Sequence, residues 1–519
     1  MLQPLRNNAR RQRVVNVESI PAPVGGWNAR DGIADMDIRD AIRLDNYFPT
    51  GEGVSLRKGT ARFVTISGVS SAPETLMVYS SGATTKMLAC ANNAIYDAST
   101  TGTVSSTLDT GLSNNRWSYE NMGGYIVFVN GADTPRKFDG TTVSTTVITG
   151  SGLTPTDLIY VCQAKQRLFF IEKNTLSAWY LDAAAIAGTA HELDFSGYCK
   201  LGGKLIAIGN WTRDGGSGSD DLVVFLTDKG EALVYEGTDP SDATKWSLVG
   251  VFRIGEPIGN RPMLNVGADL IIITNDGFVP LSKVLPIDRV GAEKIAISDK
   301  IRNAVNSAAK TNGTKFGWQA VFYAGANWGL FNIPTTEGTA ADQYVMNTIT
   351  GTWCKFKGMK ATCWTIYNKE LYFGAPGGFV VKADVSGNKD DTLAAVQAFA
   401  NIQGDIRPAF GYFGARTTQK TFTMARPVLK STASISLALV MDVDFSELPP
   451  LTVSTPATSG TPWGSPWGSP WGGSNVTRKD WIGVSGIGYS ASLHLRTSTQ
   501  GVSITLNSID YLYEQGGIL

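Results

Sequence analysis

Histidine occurs only twice in the 519 residues, at His191 and His494, and that scarcity removes most metal and acid–base chemistries at once. His191 stands near Glu192 and Asp194, but no second His or Cys follows at a metal-ligand spacing; a structural histidine is the expectation. Neither histidine has a nucleophile elbow or triad context beside it. Five cysteines, Cys90, Cys162, Cys199, Cys354 and Cys363, are scattered without a C-x-x-C pair. An odd, dispersed set argues against a disulfide framework and reads as buried free thiols.

Charge is also sparse. Charged residues make up 17% and cancel to a formal net charge of +0, against about 25% in an ordinary soluble domain. No global basic field exists to hold nucleic acid in the usual way. No apolar run approaches the ~18 residues of a membrane helix. The first 17 residues are basic but lack the apolar stretch of a signal peptide, so assembly in a cytoplasm, without membrane insertion, is expected. There is no Gly-Lys-Ser/Thr phosphate cradle and no basic–aromatic interleaving. No carboxylate pair stands out for glycosidase chemistry: Asp442 and Asp444 read as the polar face of a strand, and Asp220 and Asp221 as solvated turn residues. No cofactor, metal or catalytic residue is expected.

What is abundant is glycine, 57 residues, with aromatics at 10%. The length suggests about two to four domains or a repeat array. From about residue 60 to 390 a short apolar run, a turn and an aromatic beside an acidic residue recur: Ala94-Ile95-Tyr96-Asp97, Arg136-Lys137-Phe138-Asp139, Trp179-Tyr180-Leu181-Asp182 and Val234-Tyr235-Glu236. Tyr96 to Phe138 and Phe138 to Tyr180 each span 42 residues; Tyr180 to Tyr235 spans 55 and contains the Gly/Ser-rich insertion 211–221. A period of ~40–45 residues built of several short strands is that of a propeller blade. Apolar runs bounded by Asn/Asp-Gly turns fit strands buried on both faces. Two β-sandwiches would also give frequent strands, but the regular period favours the propeller.

Residues 298–310 (SDKIRNAVNSAAK) carry Ile301, Ala304, Val305 and Ala308 at helical spacing, with Ser298 as a cap. Trp318, Trp328, Trp353 and Trp364 read as blade-packing aromatics. After about 395 the pattern changes. Ile435, Leu437, Leu439, Met441, Val443 and Phe445 alternate strictly, the clearest strand in the chain. The expected fold is all-β: an N-terminal arm and anchor at 1–59, a β-propeller at 60–409 and a C-terminal β-sandwich at 410–519, with few short helices. Within the sandwich, 461–473 repeats Pro-Trp-Gly-Ser; proline at every fourth place forbids ladder or helix, so this is an exposed loop. Trp463, Trp467 and Trp471 on it either pack against their own prolines or meet a partner.

The N-terminal region organises the rest. Arg6, Arg10, Arg11 and Arg13 form a basic tail, either solvated or ordered on a partner's acidic surface. Then comes GGWNARDGIADMDIRDAIRLDNYFPTGEGVSLRKG at 25–59. Its 35–44 segment has roughly helical spacing with Asp37 placed to cap. This stretch, with 115–140 and the terminal SIDYLYEQGGIL, resembles the tail nozzle proteins, also called tail tubular protein B, of short-tailed bacteriophages. The resemblance covers the first 140 residues and the last forty; between them it extends only to architecture.

The resemblance implies a structural virion protein of the tail, not an enzyme: a homohexameric nozzle ring below the head–tail adaptor ring, carrying tail fibres or spikes. Double-stranded DNA would pass through it during ejection without sequence-specific binding. A conduit that gripped phosphates would stall the genome, which suits the balanced charge. The expected assembly contacts are Arg6, Arg10, Arg11, Arg13, Trp27, Asn28, Arg30, Leu44, Tyr47, Phe48, Trp463, Trp467 and Trp471. The competing reading is a host-envelope carbohydrate-binding or glycan-degrading propeller, which needs carboxylates and aromatics gathered at one mouth.

Overall fold

The computed structural model describes residues 15–212, 221–284, 295–433, 435, 437–449, 476–478 and 480–516. The basic residues Arg6, Arg10, Arg11 and Arg13, most of the Gly/Ser insertion, and the Pro-Trp-Gly-Ser loop with Trp463, Trp467 and Trp471 lie outside the described residues. The chain divides into two compact units, one made of Lys58–Asn401 and the other of Met1–Arg57 with Ile402–Leu519.

Lys58–Asn401 is a β-propeller with seven blades among the described residues. The first blade pairs Thr75–Ser81, Thr84–Ala91, Ala94–Asp97 and Thr107–Thr110 in sequence. The second runs from Ser118–Met122 through Tyr125–Val129 and Arg136–Phe138 to Val143–Thr145. The third begins at Leu158–Ala164, the fourth at Leu205–Trp211, the fifth at Met263–Val266 and the sixth at Gln319–Tyr323. The seventh joins Cys363–Tyr367, Glu370–Ala375 and Phe379–Val385 to Gly59–Ile66 from the start of the unit, so chain segments some 300 residues apart close the ring. The first strands lie side by side in blade order, and that of the seventh returns to that of the first.

The recurring aromatics mark the same strand of each blade, although Tyr180 faces the following blade and the other three the preceding one. Tyr96, Phe138, Tyr180 and Tyr235 all fall on the third strand of a blade. Apolar side chains cover both faces of these sheets, and the core lies between blades: Leu88, Ile95, Phe128 and Phe138 between the first and second, Phe169, Phe225 and Tyr235 between the third and fourth. This is why the strands read as continuous apolar runs rather than alternating ones. Trp318, Trp328, Trp353 and Trp364 are buried, as blade-packing residues should be.

The helix Arg302–Asn312, preceded by a 3₁₀ turn at Asp299–Ile301, packs Val305 and Ala308 inward and lies against Gly277–Pro280 and Trp328–Thr336. Ser298 does not cap it. Its hydroxyl instead accepts the Phe278 amide at 3.0 Å, a backbone donor that would otherwise be buried without a partner.

The second unit is a β-sandwich built from both ends of the chain. In one sheet Val15–Pro21 pairs antiparallel with Ile504–Gln515, which pairs with Lys420–Ser431, and that strand with Ile482–Gly488. In the other, Asp40–Asp45 pairs with Phe399–Pro408, then Ala491–Thr499, then Leu437–Val443. Leu493, Leu495, Ile509, Tyr511, Phe413 and Phe422 fill the space between, with the Phe413 ring 5.0 Å from both Phe422 and Tyr511. The described part of the expected N-terminal arm, 15–57, is therefore an integral part of the C-terminal sandwich, while Gly59 already lies on a propeller strand.

Four local expectations are corrected. The 35–44 segment holds no helix: a turn, in which the Asp37 carboxylate accepts the Arg39 amide at 2.8 Å, leads into the strand Asp40–Asp45. Pairing with Phe399–Pro408, in register at Ala41 and at Arg43, Leu44 and Asp45, satisfies backbone that a short isolated helix would leave marginal. The alternating strand ends at Val443, because Asp444 and Phe445 turn with φ of 48° and 65°. Its supposedly solvated face is covered, since Asp442 is fully buried. Asp221, likewise expected in solvent, is buried as well.

Candidate functional site

A propeller leaves a tunnel where its first strands meet, and here those strands carry polar side chains toward it. Near their C-terminal ends, four successive blades contribute Glu120, Gln163, Asn210 and Asn265 to one cavity of about 1040 Å³. Tyr160 and Met263 lie deeper, where they also line a second cavity of about 540 Å³ at the N-terminal ends of the same strands. The two cavities are the two mouths of one tunnel.

The N-terminal mouth is cationic in residue type but compensated. Arg261 donates to the Thr75 hydroxyl at 2.7 Å and the Glu74 carbonyl at 3.1 Å. Arg116 pairs with Glu74 at 3.0 Å and Glu337 at 2.7 Å while lying 4.3 Å over the Phe316 ring. These guanidiniums tie blades together and leave little net field for a phosphate.

The C-terminal mouth is chemically more open. Burial pushes the Glu120 carboxyl up to about 7, against the opposing pull of the Gln163 and Asn121 amides. Arg167 donates to Asp239 at 3.0 Å and to the Leu181 carbonyl at 3.3 Å, yet its Nε is buried without a partner among the described residues. The same holds for Asn210 Oδ1. The hairpin turn at the rim, Lys165-Gln166, has φ of 50° and 57°, a left-handed conformation that usually selects Asn or Gly.

A raised carboxyl has a stability signature. Between about pH 4.5 and 7 the native chain keeps a proton on Glu120 that the unfolded chain has released, so stability falls as pH rises through that window. Glu120→Gln should therefore leave the melting temperature unchanged near pH 4.5. Above pH 7 it should raise stability by about 1–3 kcal/mol once screening by cavity water is allowed for. Thermal melts at the two pH values check this.

The residues expected to make assembly contacts fare differently. Trp27, Asn28, Leu44 and Tyr47 are buried within their own unit, and Phe48 is half-buried. Arg30 is exposed and paired with Asp31 at 2.7 Å. Asn28 donates to Asp40 at 2.7 Å and Asp31 at 2.8 Å, and Tyr47 bonds the Thr497 hydroxyl at 2.9 Å. Large aromatics at the N-terminus look like contact residues in a sequence; here they are core.

The same unit holds a buried ionic cluster. Asp405 meets His494 at 2.6 Å and Arg496 at 2.8 Å. Burial alone would raise this carboxyl, but the hydrogen bonds and charges of His494, Arg496 and Arg43 hold it below its usual range. Arg407 pairs with Asp442 at 2.7 Å. His494 is thus a buried structural partner of Asp405. His191 is half-exposed, its ring 5.3 Å from Tyr180. Among the described residues no group of three His, Cys, Asp or Glu converges as metal ligands, and no helix is long and apolar enough to cross a membrane.

No family model matches the chain, and no curated protein matches it. Solved structures similar to it include the computationally designed Ika8 protein, at 11% identity and TM-score 0.37 over 62% of this chain and 99% of that one. YCF48 bound to a D1 peptide matches at 10% identity and TM-score 0.38, over 69% and 97%. An exo-β-1,3-galactanase from Phanerochaete chrysosporium matches at 9% and 0.26, over 71% and 96%. At these scores the likenesses add nothing to what strand pairing already establishes.

No adjacent chemistry in the sequence marks the tunnel residues. A signal was present: Glu120, Gln163 and Asn210 recur at 43 and 47 residues, close to the blade period, one polar side chain near the end of each first strand.

Proposed function

We propose that this protein is a structural subunit of the tail nozzle of a short-tailed phage, a ring component that continues the channel for DNA ejection and acts by geometry rather than by turnover. The observation that carries this reading is the 25–59 stretch, whose resemblance to the nozzle family is matched by a structural reason for its residues. A Cβ on Gly25 would lie 2.1 Å from an Asp40 oxygen, and Asp40 is the residue that Asn28 bonds. Asn46 takes φ of 60° and accepts from Arg57 Nε at 2.8 Å. A Cβ on Gly59 would lie 1.9 Å from the Lys389 carbonyl oxygen. The motif is a folding signature, which supports reading it as a mark of family rather than chance.

Balanced charge suits a conduit that must release DNA, and the compensated arginines at the propeller mouth point the same way. Assembly contacts then fall to exposed positions and to segments such as the basic tail. Truncation must be chosen accordingly: removing 1–48 would delete Trp27, Leu44 and Tyr47 from a core and unfold the sandwich. Removing only 1–14 takes away four arginines and spares Val15–Pro21. The expected result is a folded chain that fails to enter tails in an in vitro assembly reaction. Normal incorporation of this truncation would count against the tail's role.

A further inference from the structure

We propose that the propeller cavity at the C-terminal ends of the first strands is a binding site for a neutral oligosaccharide, with Asn210, Gln163, Asn265 and Glu120 reading its hydroxyl groups and Arg167 donating from the wall. The inference does not rest on the nozzle reading: its failure leaves that reading standing, and its success brings in the carbohydrate-binding role set against the nozzle in the sequence.

The argument begins with convergence. One polar side chain from each of four consecutive blades points to a single space of about 1040 Å³, near the upper end of small-ligand pockets. Blade packing alone does not need this, because the core lies between the sheets and not in the tunnel. Two of the lining groups are also incompletely satisfied among the described residues. Asn210 Oδ1 is a buried acceptor and Arg167 Nε a buried donor, each without a hydrogen bond. Buried polar atoms left this way destabilise the fold and are rare. The strained Lys165-Gln166 turn adds a second local cost at the same rim.

The ligand class follows from what these groups can do. A hydroxyl is the one common group that donates and accepts through a single atom, so a polyol can serve an orphan acceptor and an orphan donor together. Side-chain amides at Gln163, Asn210 and Asn265 have the same double capacity. Burial keeps Glu120 partly protonated near neutral pH, so it can donate as well as accept. With Glu120 partly protonated, Asp221 on the wall still offsets Lys165, and Arg167 is already paired with Asp239. That disfavours a polyanion. A single tyrosine, Tyr160, with Met263 beside it, offers an apolar patch for a sugar face but no ladder of rings for stacked bases.

The test uses the full-length chain and saturation-transfer NMR with malto-, cello- and galacto-oligosaccharides of about two to six units. Matched uronate-containing oligosaccharides and an unstructured peptide of similar size serve as competitors. At least one neutral series should bind at millimolar concentration or tighter. Asn210→Ala and Asn265→Ala should each weaken it tenfold or more, while Glu236→Gln, on an exposed outer position, leaves it unchanged. Two variants guard against one failing to fold, which thermal melts will reveal. No binding of any neutral series, preference for the uronates or the peptide, or binding indifferent to both asparagine variants would overturn the proposal.

Discussion

Asp442→Ala lowers the stability of the sandwich unit by about 3–5 kcal/mol, the usual cost of stranding one member of a buried ion pair. Asp442 is fully buried and Arg407 nearly so, 2.7 Å apart. Its second oxygen accepts the Leu448 amide at 3.0 Å. The remaining partners of Arg407, Glu447 at 3.3 Å and the Ser446 carbonyl at 2.9 Å, bring the loss toward the lower end, because Glu447 is 43% exposed and its attraction is screened. Replacing both residues together, Arg407→Met with Asp442→Leu, should recover most of the loss, since no charge is then left buried. Hydrogen exchange along Leu437–Val443 reads this unit separately from the propeller. A loss below about 1 kcal/mol for Asp442→Ala would mean that the pair is not desolvated as described.

Val64→Asp has an effect at least as large, for a different reason. Val64 sits on Gly59–Ile66, the strand that closes the ring, opposite Val380 and fully buried with it. A carboxylate there is enclosed in the cluster that holds Ile66, Ala89 and Val380, and the variant either ionises at high cost or stays protonated in an apolar layer. The expected loss exceeds about 4 kcal/mol, the range that marks a broken core rather than a surface change. Closure also links the two ends of the propeller, so limited proteolysis near residue 58 should accelerate with it. Val104→Asp, on a partly buried strand that pairs with the same strand from outside, should cost markedly less. Equal losses for the two variants would contradict the closing role.

Much of this architecture was legible, and the reasons are local. The third-strand aromatics Tyr96 and Phe138 fall 42 residues apart because each packs against the preceding blade; Tyr180, 42 residues further on, faces the following blade, and its neighbour Trp179 takes the equivalent place. The sixth blade, Gln319–Tyr323 to Trp353–Phe356, is hidden in the sequence because its third strand, AADQYVMN, lacks the aromatic–acid pair of the recurring stretches. The helix at Arg302–Asn312 was visible from its apolar spacing, whereas the job of Ser298 was not, since the Phe278 amide it satisfies lies 20 residues away. The 35–44 segment misled for the same reason. Its helical spacing is local, and the strand that captures it, Phe399–Pro408, is over 350 residues distant. Likewise nothing near Asp442 in sequence announces Arg407. The tunnel lining could have been found from its blade-spaced polar residues; the orphan atoms of Asn210 and Arg167 could not, because hydrogen-bond satisfaction is a property of three-dimensional neighbours.

The most direct test of the central claim is the mass and low-resolution image of the particle that full-length chain forms with an adaptor ring. The account predicts a closed ring of several copies, six by family resemblance, stacked coaxially on the adaptor with an open axial channel. A single copy that remains monomeric at micromolar concentration in the presence of adaptor, or one that docks at the periphery and leaves the axis unextended, would contradict it.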